Sequence, residues 1–252
     1  MRSARWPSFS IRIFHDEYIS EHARYHGYYG PLPLIQEMTR GVTDGLIVDV
    51  GANIGMVTMY SAALGHRVIA FEPLEENYAM ALASLSLNPG FKDRVRLYQR
   101  VAHWDSRPLT LARNPTVTAG VRNSGCATLD PSRLDGVEGE GGYTVLPLTV
   151  DAAVGPSEVV QVLKIDVEGC ACHVLRSAER LIAAMRVLFL EMELPRDVCG
   201  CDHVADMTWL MGLGYVPLAV QGNRLEKVST DVVLQGIHTD LTFAHPRFIV
   251  ER

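Results

Sequence analysis

The sequence predicts an α/β domain built on a mainly parallel β-sheet covered by helices on both faces. Three observations carry this expectation. Short, continuous apolar runs such as "LIVDV" and "VVQVLKI" recur along the chain and read as strands buried on both sides. Helical segments separate them, as crossover connections between parallel strands require. The chain has 252 residues, 48% of them hydrophobic, which suits one sizeable core better than two small ones.

The elements follow in order. Residues 16–40 read as helix and loop, with "YHGYYGPLPL" as a turn-rich break, so residues 1–40 form an N-terminal helical extension to a domain spanning 41–252. "LIVDV" is the first strand and "MVTMYSAALG" a helix stopped by Gly65. "RVIAFEP" is the second strand, ended by Pro73, and "LEENYAMALASLSLNPG" is a helix closed by Asn88-Pro89-Gly90. "VRLYQRVAH" is a third strand and "RPLTLAR" a shorter one. Residues 130–142, rich in glycine and acid, form a mobile loop, a lid or an insertion. "YTVLPLTVDAAV" precedes the strand "VVQVLKIDVEG", the helix "CHVLRSAERLIAAM" and the strand "VLFLEMEL". A helix at "VADMTWLMGLG", the segment "YVPLAV" and a final "RFIVER" complete the pattern. No internal repeat is present.

Composition narrows the function. The net charge of -6 disfavours a nucleic-acid backbone as main partner. No apolar run is long enough to span a membrane. The start, "MRSARWPSFSIRIF", lacks the apolar core of a secretion signal, which points to a cytoplasmic protein. Five cysteines, an odd number in a chain this long, do not resemble a secreted disulfide framework. Four of them form the pairs Cys170-Ala-Cys172 and Cys199-Gly-Cys201, followed by His173 and His203. The C-x-C spacing is not the C-x₂₋₄-C of structural zinc, so ordinary reduced thiols are the favoured reading.

The first strand ends at Asp49-Val50-Gly51, and "GANIG" leads into a helix. Gly51 and Gly55 lack a Cβ, so the backbone there can turn sharply and approach a ligand. The second strand ends at Glu72, at the spacing where an acid accepts hydrogen bonds from ribose hydroxyls. Asn53 stands where a dinucleotide fingerprint has its second glycine, so no pyrophosphate cradle is evident. Asp49 adds a carboxylate, which suits a cationic amino group. A ribose and a cationic amino group without phosphate describe S-adenosylmethionine.

These residues resemble the FkbM-type S-adenosylmethionine-dependent methyltransferases. "DVGANIG" is similar to the family's first motif, "AFEP" to its ribose-binding strand end, "PLTVD" to the segment before its fourth strand, and "LKIDVEG" to its most distinctive stretch. The resemblance covers roughly residues 16–250. It implies a Rossmann-like class I methyltransferase fold: a seven-stranded, mostly parallel sheet with the last strand antiparallel. It also implies methyl transfer to hydroxyls of sugars and natural products. The implied cofactor set is Asp49, Gly51, Asn53, Gly55, Glu72, Pro73, Val101, Ala102 and Asp166. The family's second acid soon after "DVEG" is absent; the run here is Gly169-Cys170-Ala171-Cys172-His173.

Methyl transfer from a sulfonium needs alignment of the acceptor oxygen, and an alcohol acceptor also calls for a general base. Asp166 and Glu168 lie at the carboxyl end of the fourth strand. Glu191 and Glu193 lie two apart in the fifth, hence on one face. Asp166, Glu168, Glu191 and His173 are the catalytic candidates, with His103 a further histidine to weigh; Asn123, Glu168 and Glu191 are candidates for acceptor binding. Each has a bland alternative, such as capping a helix, pairing with a base or shaping a turn. These acids could gather a divalent cation, but their convergence is not legible, so no metal is predicted. The expected partner is a small-molecule or glycan acceptor. RNA or protein methylation, a nicotinamide-dependent oxidoreductase and a non-catalytic adenosyl-binding protein are the competing readings.

Overall fold

The computed structural model describes residues 7–15, 17–27, 30–113, 116–118, 121–123, 127–128, 143–193, 199–221, 224–234 and 240–248; for some of these, Asn123 and Glu193 among them, it describes the backbone alone. The glycine- and acid-rich loop at 130–142 and Cys126 lie outside the described residues.

Eight strands form the main sheet: β1 Leu46–Val50, β2 Arg67–Phe71, β3 Val95–Tyr98, β4 Val160–Ile165, β5 Val187–Glu193, β6 Val216–Gln221, β7 Arg224–Lys227 and β8 Asp240–Ala244. Their order is β7-β6-β8-β5-β4-β1-β2-β3. Strands β1 to β5 pair in parallel. The chain builds outward from β1 to β3, then crosses back to place β4 on the other side of β1. The connections leaving β1 and β4 therefore run to opposite sides, which makes this pair the switch point where open α/β sheets bind ligands.

The sheet differs from the expected seven strands by one. β7 pairs antiparallel with β6 at the edge as the second arm of a hairpin. The Gly222-Asn223 dipeptide between them is a tight-turn signal that the reading by apolar runs passes over. The last strand, β8, is inserted antiparallel between β5 and β6. Pro246–Phe248 form a 3₁₀ turn, and the rest of the final "RFIVER", residues 249–252, lies outside the described residues. "DLTFA" has only five residues, but β5 pairs with all five and β6 with the last three.

The helices are α1 Tyr18–His26, α2 Leu32–Met38, α3 Met56–Ala63, α4 Glu75–Ser86, α5 Val150–Ala153, α6 Ala171–Ser177, α7 Glu179–Ala183, α8 His203–Gly212 and α9 Thr230–Leu234. The single helix expected over "CHVLRSAERLIAAM" is broken at Ala178, which ends α6 and starts α7. Asp151 closes that break: its carboxylate accepts from the backbone N–H groups of Arg180 and Leu181 at 2.8 and 3.1 Å. Asp151, the last residue of "PLTVD", thus works as a helix cap.

Two apolar clusters sit on the two faces of the sheet. Leu46, Val48 and Val50 of β1 pack with α6, α7 and α8, while Ile47 packs with α2 and α3. This is the period of two that a strand imposes. Ala23, Leu32, Ile35 and Met38 of α1 and α2 belong to the second cluster, so this helical segment shares the core with β1 and α3. Among the described residues no helix is long and apolar enough to cross a membrane.

Candidate functional site

The turn after β1 is held from several sides. Gly51, Asn53 and Gly55 all have positive φ, +79°, +52° and +89°. The backbone N–H groups of Gly51 and Ala52 both donate to the Phe71 carbonyl at the end of β2. A Cβ on Gly51 would lie 1.8 Å from the Asp166 carbonyl oxygen, so the ends of β1 and β4 approach as closely as only glycine permits. Gly55 does different work. A Cβ there would meet the Ala81 side chain at 3.2 Å, so Gly55 serves the packing of α3 on α4. Asn53 tolerates its left-handed backbone because its own Oδ1 accepts from Ile54 N at 2.7 Å.

Glu72 faces this turn across the crevice. Its carboxylate accepts from Asn53 N at 2.8 Å and from Leu74 N at 2.9 Å. Burial pushes its pKa up to about 7; the two backbone donors and Lys164 oppose that rise, and Asp49 adds to it. A carboxylate offers roughly four acceptor sites, so two backbone bonds leave room for two hydroxyls.

The register of the sheet creates a row that no local motif displays. Asp49 on β1 lies beside Lys164 on β4, which lies beside Glu191 on β5. The Lys164 Nζ is 3.2 Å from Asp49 Oδ1 and 3.4 Å from Asp166 Oδ2, and it donates to the Gly51 carbonyl at 2.9 Å. Burial works against its charge, but Asp166, Asp49 and Glu191 outweigh burial and hold its pKa above the ordinary lysine value. Asp49 is wholly enclosed, and its Oδ2 accepts from Thr58 Oγ1 at 2.6 Å. It therefore anchors Lys164 and α3, and its carboxylate does not reach the crevice as expected for a contact to a ligand's amino group. Glu191 is likewise buried in this row, away from the crevice wall. Lys164 is the residue that the sequence reading missed. The available signal was a lysine inside an otherwise apolar strand, "VLKI", which demands buried acids around it.

Among the described residues, Asp166 and Glu168 are the acids that line the crevice beside Glu72. The Asp166 side chain is 39% exposed. Glu168 adopts φ +52°, followed by Gly169 at +92°, a left-handed pair that turns the loop sharply into α6. Gly51, Pro73, Val101, Ala102 and His173 also line the crevice, with Phe71, Leu74 and Leu111 giving it an apolar side.

The outer wall is aromatic. Trp104 donates its indole N–H to His173 Nδ1 at 3.1 Å, and the rings of His103 and His173 pack at 4.5 Å. His103 Nδ1 accepts from Asp105 N at 2.9 Å. Burial lowers the pKa of both histidines; at His173 the neighbouring His103 and Arg176 lower it further, against a hydrogen bond with the Cys199 backbone. With Nδ1 already accepting the indole proton, His173 is positioned as a strut of the wall. Behind it the expectation of free thiols is corrected: Cys170 is joined to Cys199 and Cys172 to Cys201. Each partner is 29 residues away, on a different element, which spacing within the C-x-C pairs cannot reveal. Asn123 lies on a small hairpin, opposite Thr116, and its side chain is outside the described residues. The Glu193 side chain is outside them too; its backbone ends β5 opposite Asp240.

Comparisons agree with this architecture. A family profile described as "Methyltransferase FkbM domain" matches residues 49–217. The structure resembles a methyltransferase FkbM from Methylobacillus flagellatus KT with a TM-score of 0.50 and 16% identity, covering 87% of this chain and 49% of that one. The chain thus spans about half the length of that structure. Looser likenesses include an rRNA methylase from Streptococcus thermophilus (TM-score 0.45, 14% identity, 86% of this chain and 96% of that one) and the C-terminal domain of precorrin-6Y C5,15-methyltransferase from Rhodobacter capsulatus (0.39, 12%, 84% and 85%). No curated protein matches the chain.

Proposed function

The chain belongs to the FkbM methyltransferase family, and from that premise we propose that it transfers the methyl group of S-adenosylmethionine to a hydroxyl oxygen of a sugar, glycan or natural-product small molecule. In this reading residues 41–252 form the methyl-transfer domain and residues 1–40 extend it.

The observation that carries the proposal is Glu72. It is a buried carboxylate that lines the crevice with half of its acceptor capacity unspent on the turn it holds. Such a group fits the two hydroxyls of a ribose. The apolar side formed by Phe71, Leu74, Val101 and Ala102 fits a flat base next to that ribose. Gly51 lines the crevice beside it, and Asp166 presents the accessible carboxylate for a cationic amino group. The bound cofactor supplies an already activated methyl group, so no covalent protein nucleophile is required.

What remains for the chain is alignment and a proton. Lys164 holds the Asp166 carboxylate and the Gly51 carbonyl from behind, fixing both sides of the crevice mouth. Asp166 and Glu168 accept hydrogen bonds from the acceptor hydroxyl, and one of them takes its proton as the new bond forms. His173 lines the crevice and is held there by the Trp104 indole N–H.

The test is incubation with methyl-labelled cofactor and sugars, glycolipids and polyketides, followed by product analysis. Label on oxygen supports the proposal. Label on nitrogen, on carbon or in RNA refutes the acceptor class, and calorimetry showing no binding of S-adenosylmethionine refutes the cofactor.

A further inference from the structure

The proposed methyl transfer assigns no role to the two C-x-C pairs, yet they stand against the crevice. Cys170 caps α6 and lines the crevice, and Cys172 is buried one half-turn further on. Cys199 and Cys201 come from the segment between β5 and α8. The pairs face each other in register, with Cα separations of 5.2 Å for Cys170–Cys199 and 5.6 Å for Cys172–Cys201, and are joined as disulfides. His173 directly follows Cys172. One ligand atom from each of Cys172, His173 and Cys201 lies within 4.8 Å of the others. Cys172 and Cys201 are buried and His173 is half-buried.

Two thiolates and an imidazole are a complete protein donor set for zinc, with water in the fourth position. The set is soft, which excludes magnesium and calcium as natural occupants. It is also balanced in charge, since two thiolates neutralise a divalent ion and a buried site gains no net charge. The spacing argument against zinc does not reach this site. In a C-x₂₋₄-C knuckle one turn supplies two sulfurs to the same ion, whereas here Cys172 and Cys201 come from different elements. The members of each C-x-C pair belong to different rungs of the ladder.

We propose that the reduced chain binds one zinc ion through Cys172, His173 and Cys201, with His173 keeping the Trp104 bond at Nδ1 and exchanging its hydrogen bond with the Cys199 backbone for the metal, and that the disulfides are the metal-free, oxidised form of the same site. To pass between them, each bridge takes two electrons and two protons from a dithiol reductant, which leaves as its own disulfide. Zinc then displaces the protons of Cys172 and Cys201. Where a compartment keeps thiols reduced, the metal-bound form is the one present.

The experiment uses the full chain, reduced with a phosphine and freed of metal, then titrated with zinc and, separately, with cobalt. The reduced chain is expected to take up one zinc per chain and to give a thiolate-to-cobalt charge-transfer band; the oxidised chain gives neither. Cys172→Ser and Cys201→Ser abolish the band, His173→Ala weakens it, and Cys170→Ser retains it. Because a serine variant could fail to fold, alkylation of the reduced wild-type chain provides a second reading: zinc should protect Cys172 and Cys201 from iodoacetamide. A reduced chain that takes up no zinc, equal uptake by the oxidised chain, or equal alkylation with and without zinc overturns the proposal.

Discussion

Replacing Lys164 by methionine tests the acid–lysine row directly. Lys164 is 3% exposed, with its Nζ 3.2 Å from Asp49, 3.4 Å from Asp166 and bonded to the Gly51 carbonyl. Methionine keeps the length of the stem and removes the charge. Removing one member of a buried pair costs about 3–5 kcal/mol, because the partner is left as an uncompensated charge. At about 2–4 °C per kcal/mol for a domain of this size, the melting temperature should fall by roughly 6–20 °C at neutral pH. The penalty also has a defined pH dependence. Without the lysine, the folded variant relieves the row by taking up a proton that the unfolded chain does not hold, so the pKa of that acid is raised on folding. The cost is then full above the folded pKa and vanishes below the unfolded carboxylate value of about 4. Thermal unfolding of wild type and variant across that range should show the gap closing as pH falls. A gap that stays constant with pH, or one below about 1 kcal/mol at neutral pH, would refute a buried charge row.

Three further outcomes are expected. Gly51→Ala places a Cβ 1.8 Å from the Asp166 carbonyl at φ +79° and should cost several kcal/mol in urea unfolding, whereas Gly55→Ala, with 3.2 Å to Ala81, should cost only about 1–2 kcal/mol of left-handed strain; equal costs would count against the close approach of β1 and β4. Glu72, raised from 4.5 to about 7 by burial, is protonated in the folded but not the unfolded chain between those values. Stability of the cofactor-free protein should therefore fall by about 3 kcal/mol as pH rises through that window. S-adenosylmethionine affinity should weaken below pH 7, and Glu72→Ala should remove that slope while costing about 1–3 kcal/mol of binding by calorimetry; a flat affinity profile contradicts the ribose role. Glu168→Gln should leave the melting temperature near that of wild type, and Asp166→Asn should lower it by less than Lys164→Met does, because Asp49 still pairs with the lysine; the variant lacking the base loses roughly 100-fold in turnover, and normal turnover in both would place the base elsewhere.

Sequence alone determined what local forces decide. Strands buried on both faces read as apolar runs, and β1, β2, β4 and β5 stand where those runs stand. The glycine turn at 51–55 and the acid at 72 were legible because each closes an apolar strand run, and one strand–helix–strand unit fixes the spacing between them. The tertiary structure decided everything that depends on register between distant strands. Asp49 reads as a ligand contact until β4 brings Lys164 beside it, and Glu191 reads as an acceptor contact until the same lysine takes it into the buried row. The "LTFA" of β8 is too short to stand out until β5 and β6 pair with it. The cysteines have partners 29 residues away, beyond α6, α7 and β5, a separation that no spacing rule contains. Charge, sulfur and edge pairing act through space, so a one-dimensional pattern names the participants and only the folded sheet chooses their partners.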